Sequence, residues 1–194
     1  MSDLFQEPNA ATPLGPEEKH GLIPAHITYR AELNEAEQEN IIRGQEWAFV
    51  RRRDLLSERF VLELHRRMFG DVWRWAGKFR TSEKNIGIPF YEIPTRIHQL
   101  LDDGKAWVAH QTYPADEIAV RFSHRLVQIH PFPNGNGRHS RLIADLLVMS
   151  LGERRFSWGS ANMQPAGDVR RRYIEALQAA DQHDISPLLA FTRS

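Results

Sequence analysis

Two amphipathic helical patterns, separated by a loop that neither can run through, set the frame for this chain. From about Ala115 to Ile129 the apolar residues Ile118, Phe122, Leu126 and Ile129 recur on one helix face. From about Arg138 to Leu151 a second buried helix is expected, with Leu142, Ile143, Leu146 and Leu147 inward. Between them lies His130-Pro-Phe-Pro-Asn-Gly-Asn-Gly-Arg138, whose prolines and glycines interrupt the helical pattern.

The rest of the chain is also helical in pattern. Leu56, Phe60, Leu64 and Met68 repeat every four residues, and Ser57 followed by Glu58 suits a helix start, so a helix runs from about Ser57 to Phe69. A looser pattern covers Ala31 to about Arg53, with Leu33, Ile41 and Trp47 inward and Gly44 as a potential break. Further helices are expected over Thr95–His110, over DVRRRYIEALQAAD and after Ser186-Pro187. IGIPFYEIP is short, β-branched and aromatic; its two prolines exclude a central strand, so it reads as an edge hairpin or flap. Strands and helices do not alternate, and no segment repeats. The expected fold is an all-α bundle with one small β-hairpin. The expected division is a proline-rich N-terminal tail over 1–25, a helical segment over 26–54 and the main domain over 55–194.

The loop is where chemistry concentrates. Gly135 and Gly137 permit positive φ and a close approach of ligand to backbone N–H groups. A loop feeding a helix N-terminus forms an anion site, because unpaired N–H donors and the helix dipole point the same way. Arg138 and Arg141 are three apart and share one helix face, so two guanidinium forks flank that site, an arrangement suited to a polyphosphate. His130 stands at the rim, where a neutral imidazole can accept a proton. Phe132, between two prolines, should turn inward and pin the loop. Proline, asparagine and glycine are also ordinary turn residues, so composition alone leaves a plain turn open.

Composition narrows the partners. Lys+Arg and Asp+Glu both number 25, a net charge of zero, which disfavours a general grip on nucleic acid or an anionic membrane. Arg51-Arg52-Arg53 is better read as a solvated helix end. No apolar run approaches the roughly 20 residues of a membrane span. There is no cysteine, hence no thiolate nucleophile and no disulfide, which fits a reducing, cytoplasmic setting. His124, His130 and His139 lack the i,i+3 or i,i+4 spacing of a helical zinc site. His65 reads as a structural residue at the edge of its helix. Trp73 and Trp75 read as packing for the flap base.

The loop resembles the Fic motif, His-x-Phe-x-Asp/Glu-Gly-Asn-Gly-Arg-x-x-Arg, here running from His130 to Arg141. LHRRMFGDVWRWAGKFR is similar to the family's pre-flap helix and turn, IGIPFYEIP to its flap, and YIEALQAADQHDISPLLAF to its closing helices, so the resemblance covers roughly Leu55 to Phe191. In finer detail the chain resembles the bacterial subgroup known as mobile mystery protein B.

The resemblance implies a protein adenylyltransferase that moves AMP from ATP to a hydroxyl side chain of a target protein, with Mg²⁺ or Mn²⁺ as cofactor. His130 would be the catalytic base. Gly135 and Gly137 would give backbone donors to the phosphates and Asn136 would hold the loop. Arg138 would orient the phosphates as a catalytic residue, and Arg141 would take the γ-phosphate. Gly87, Ile88, Pro89, Phe90 and Tyr91 would form the flap that docks the target by strand addition. Asn134 stands where the family commonly has Asp or Glu, the metal anchor; an amide oxygen can ligate a hard cation without charge. The alternative is therefore a nucleotide-binding regulatory protein with little transfer. A third option is transfer of a different phosphate-containing group. The resemblance also implies an inhibitory helix with a Ser/Thr-x-x-x-Glu-Gly/Asn motif. Glu39-Asn40 matches its second half, with Glu35 in place of Ser/Thr; Thr28 and Glu32 give the other spacing, followed by Leu33. Glu39 is accordingly the expected inhibitory residue, reaching Arg141. Without such a residue, control would fall to a separate regulatory partner.

Overall fold

The computed structural model describes Leu4, residues 13–160 and residues 166–194. Eight helices are described: α1 (Pro16–Lys19), α2 (Arg30–Phe49), α3 (Glu58–Phe69), α4 (Ile93–His110), α5 (Ala115–Ile129), α6 (Asn136–Ser150), α7 (Ala166–Asp181) and α8 (Ser186–Thr192). Helices α5 and α6 pack most extensively, α2 lies on α3, α4 and α8 lie on α5, and α7 pairs with α8. The all-α expectation holds, and no helix among the described residues is long and apolar enough to cross a membrane.

Local chemistry explains the helix ends. The Ser57 hydroxyl accepts a hydrogen bond from the Phe60 N–H at 3.3 Å, capping α3 as its sequence predicts. Phe60, Leu64 and Met68 are then buried with Val61 and Phe69. Asp116 and Glu117 lie in the first turn of α5, where carboxylates favour the helix dipole. The Ile118, Phe122, Leu126 and Ile129 stripe is buried, as are Leu142, Ile143, Leu146 and Leu147 of α6.

Gly44 does not break α2. A Cβ there would stand 2.9 Å from the Met68 Cα, so the glycine lets α2 and α3 cross closely. The expected hairpin does not form either: no strand occurs among the described residues, only a bridge between Leu22 and Trp73. The segment before Pro89 bends alongside the loop after α5, with the Ile88 N–H directed at the Ile129 carbonyl. Pro89 then opens a 3₁₀ turn (Phe90–Glu92), and Pro94 sits in the first turn of α4. Proline is welcome in such positions because the first N–H groups of a helix have no intrahelical acceptor. The described part of the N-terminal segment is docked: Leu14 is buried, Lys84 bonds the Pro13 carbonyl and pairs with Glu18, and Arg74 N–H bonds the Gly21 carbonyl.

Candidate active site

The loop from His130 to Gly135 is held by its own asparagine. Buried Asn136 accepts the Phe132 N–H at 2.9 Å and donates to the Phe132 carbonyl at 2.8 Å, closing the loop with one amide. Phe132 turns inward, fully buried, and stacks on His65 with ring centroids 3.7 Å apart. His65 is not at the edge of its helix, as its sequence position suggests; it is completely buried. Its Nδ1 accepts the Gly77 N–H at 3.0 Å, which leaves Nε2 to donate to the Asn134 carbonyl at 3.1 Å. Burial holds this ring neutral, with a pKa well below that of ordinary histidine.

Gly135 caps α6 at φ +80, and a Cβ there would lie 2.6 Å from the Phe69 ring, so both conformation and space require glycine. Around Gly137 a Cβ would meet nothing within 4 Å, so this side of the turn faces open space. The N–H groups of Asn136, Gly137 and Arg138 belong to the first turn of α6 and have no intrahelical acceptor. Arg138 lies over the Phe69 ring at 4.8 Å and Arg141 over the Tyr173 ring at 5.0 Å. Among the described residues no carboxylate pairs with Arg141.

His130 ends α5 in the left-handed region at φ +55 and is buried. Burial, and secondarily the Arg80 charge, lower its pKa to about 4, against a weaker opposing effect of the Val127 carbonyl. Its imidazole is therefore neutral at physiological pH, the form a general base requires.

Two expected assignments change. Glu39 lies on the exposed face of α2. The carboxylate that reaches the loop is Glu37, one helical face away, and its partner is Arg138: Oε2 lies 2.8 Å from Nη1. The other oxygen of Glu37 accepts the Trp73 indole N–H at 2.8 Å, so Trp73 packs at α2, not at the flap base. Glu32 caps α2 by accepting the Thr28 and Tyr29 N–H groups. The second change concerns metal. The Asn134 Oδ1 accepts the Gly135 N–H at 2.6 Å and stands 3.4 Å from the Arg138 guanidinium. Among the described residues no cluster of carboxylates and histidines could hold a cation. An amide oxygen already engaged by an N–H and a cationic neighbour does not fit a protein-held divalent ion.

Sequence reasoning read His65 as structural but missed its contact with the loop, and it missed Glu37 and Arg80. The guanidinium of Arg80 is fully buried and bonds the His130, Ser82 and Ile88 carbonyls. Gly87, in the expected flap, packs against His130: a Cβ there would lie 2.6 Å from the His130 Cβ. Tyr91, by contrast, is exposed.

Residues 55–148 match the Fic/DOC family. The chain contains a Fic/DOC domain. The protein adenylyltransferase Fic of Aedes aegypti is 31% identical over 147 residues, covering 73% of this chain and 28% of that protein. Protein adenylyltransferase fic-1 of Caenorhabditis briggsae is 29% identical over 136 residues, covering 68% of this chain and 25% of that protein. The chain thus spans little more than a quarter of these relatives' length. Among solved structures, BepC of Bartonella tribocorum with bound AMPPNP superposes with a TM-score of 0.71 at 16% identity, covering 92% of this chain and 97% of that one. Fic-1 of C. elegans superposes with a TM-score of 0.64 at 24% identity, covering 90% and 51%. These superpositions share a fold.

Proposed function

We propose that this chain is a protein adenylyltransferase that transfers AMP from ATP to a hydroxyl side chain of a target protein. The observation that carries the reading is a neutral, buried His130 joined by one locked loop to an open helix N-terminus flanked by Arg138 and Arg141. The similarity to proteins named adenylyltransferases supports it. The α6 N–H groups and Arg138 orient the triphosphate, and Arg141 takes its terminal phosphate. The target hydroxyl gives its proton to His130 as its oxygen bonds the α-phosphorus; the bond from that phosphorus to the bridging oxygen breaks and pyrophosphate leaves. Residues 87–91 are the segment that docks the target, with exposed Tyr91 on its outer side. The residues here do not fit a protein-held metal, so no step is assigned to one. Within that family we read the chain as a member of the bacterial mobile mystery protein B subgroup, working in the cytoplasm.

Glu37 restrains the site. Its carboxylate neutralises Arg138 where a phosphate would otherwise sit. That pair, together with the engaged Asn134 amide, favours a second reading as well: a regulatory protein that binds nucleotide with little transfer. Incubation with α-³²P-ATP and a cell lysate separates the two. Label on this chain or on a lysate protein supports transfer; ATP binding without label supports the regulatory reading.

A further inference from the structure

We infer that Arg80 is a positioning residue for the reaction: one buried guanidinium fastens the flap to the backbone of His130, so the placement of the base and the shape of the target-docking segment are set together. The inference rests on the adenylyltransferase reading above.

The geometry is specific. Arg80 Nε donates to the His130 carbonyl at 2.7 Å, Nη1 donates to the Ser82 carbonyl at 2.8 Å, and Nη2 donates to the Ile88 carbonyl. The Arg80 N–H adds a bond to the Pro131 carbonyl at 2.9 Å. Four contacts from one residue therefore join Ser82, ahead of the flap, and Ile88, near its start, to the first two residues of the loop. The side chain is fully buried, yet its nearest carboxylate, on exposed Glu83, is 3.9 Å away. The donors are thus spent on carbonyls of two chain segments rather than on a close ion pair. A lysine could not replace this fork, because one ammonium cannot reach three carbonyls in a plane.

What the fork holds also matters. His130 occupies φ +55, a conformation that a non-glycine residue keeps only when its surroundings fix it. Its carbonyl is the group that Arg80 grips. On the other side Gly87, at φ +96, closes the gap: a Cβ there would lie 2.6 Å from the His130 Cβ and 3.0 Å from Arg80 Nη2. The flap, the clamp and the base are in mutual contact. Arg80 and Lys84, both from the segment that leads into the flap, also disfavour protonation of the imidazole, whereas the Val127 carbonyl on α5 favours it. Charge and fork are therefore separable contributions of the same side chain.

The test uses the full chain with Arg80→Lys, Arg80→Met and Gly87→Ala. Three quantities are read: AMPPNP affinity by calorimetry, kcat and KM for labelling from α-³²P-ATP, and the pH titration of the His130 ring by NMR. The expected result is AMPPNP affinity within about threefold of the parent, with kcat lowered by roughly tenfold or more in all three variants. Only Arg80→Met should move the His130 titration upward from about 4, because Arg80→Lys keeps the charge and Gly87→Ala removes none. If Arg80→Met does not fold, the other two variants still test the clamp. Unchanged kcat in Arg80→Lys and Gly87→Ala overturns the inference, as does a kcat loss matched by an equal loss of AMPPNP affinity. A parent that transfers no AMP defeats the adenylyltransferase reading instead. The NMR arm then decides the coupling alone: His130 ring resonances unshifted in both Arg80→Lys and Gly87→Ala, which leave the charge in place, overturn it.

Discussion

Glu37 and Arg138 are 101 positions apart in the chain and meet at 2.8 Å, with the Trp73 indole fixing the other carboxylate oxygen. Helix α2 thus places a carboxylate on the loop arginine that the proposed function assigns to phosphate. Glu37→Gln keeps an acceptor for Trp73 while removing the charge. It should raise labelling from α-³²P-ATP several-fold, whereas Glu39→Gln, on the exposed face, should leave it unchanged. Lower labelling in Glu37→Gln would mean that the carboxylate aligns Arg138 rather than restraining it.

Asn136 bonds both backbone groups of Phe132, so Asn136→Ala leaves a buried N–H and a buried carbonyl without their partner. Each such loss costs about 1–3 kcal/mol. Denaturant unfolding should show a destabilisation of roughly 2–6 kcal/mol, with ATP affinity reduced in the variant that remains folded. A change below about 1 kcal/mol would show that the loop is held elsewhere.

Asn134 sits between the Gly135 N–H and Arg138 and presents no charge to a cation. Asn134→Asp restores the carboxylate that the family resemblance implies as metal anchor, a stronger ligand for a hard cation than an amide oxygen. Labelling should rise and depend more steeply on Mg²⁺ concentration. If both nucleotide affinity and turnover fall, the amide serves the site as it stands.

Three of the buried histidines, His65, His130 and His139, make the fold sensitive to acid. The pKa of His65 lies well below the ordinary value, that of His130 is about 4 and that of His139 is about 3, all chiefly because burial opposes the charged ring. Between the unfolded value near 6.5 and these folded values the unfolded chain binds more protons, so stability rises with pH across that window. The contribution is complete above about pH 6.5 and is lost as pH falls through the folded values. Thermal melts should therefore drop from pH 6.5 toward 4, with a slope on the order of 4 kcal/mol per pH unit where all three rings differ. A flat melting temperature from pH 7 to 5 would contradict neutral burial.

How much of this was legible in sequence follows the reach of each interaction. The ends of α3 and α5 could be read because the Ser57 cap and the four-residue apolar repeat are local. The Asn136 lock spans four residues, and its role was legible from the loop motif. Gly44 was misread as a break because its function, a close approach to Met68, exists only after α2 and α3 pack. IGIPFYEIP was misread as a hairpin because its prolines also suit the first turns of the 3₁₀ segment and α4, and its β-branched residues outweighed that signal. Arg80, His65 and Glu37 act on groups 50, 69 and 101 positions away, so the sequence does not show their partners even where, as for His65 and Arg80, they lie in a family-like segment. The one available clue to Glu37 was the acidic run on α2, where helical phase had to choose between Glu37 and Glu39. Burial of Leu33, Asn40 and Ile41 settles that phase in favour of Glu37.

The central claim is that neutral His130 takes the proton of the attacking hydroxyl. The most direct measurement compares α-³²P-ATP labelling by the parent chain and His130→Ala, with AMPPNP affinity measured on both. The account predicts a loss of labelling of about 10² or more at nearly unchanged affinity. Equal labelling by parent and variant would contradict it.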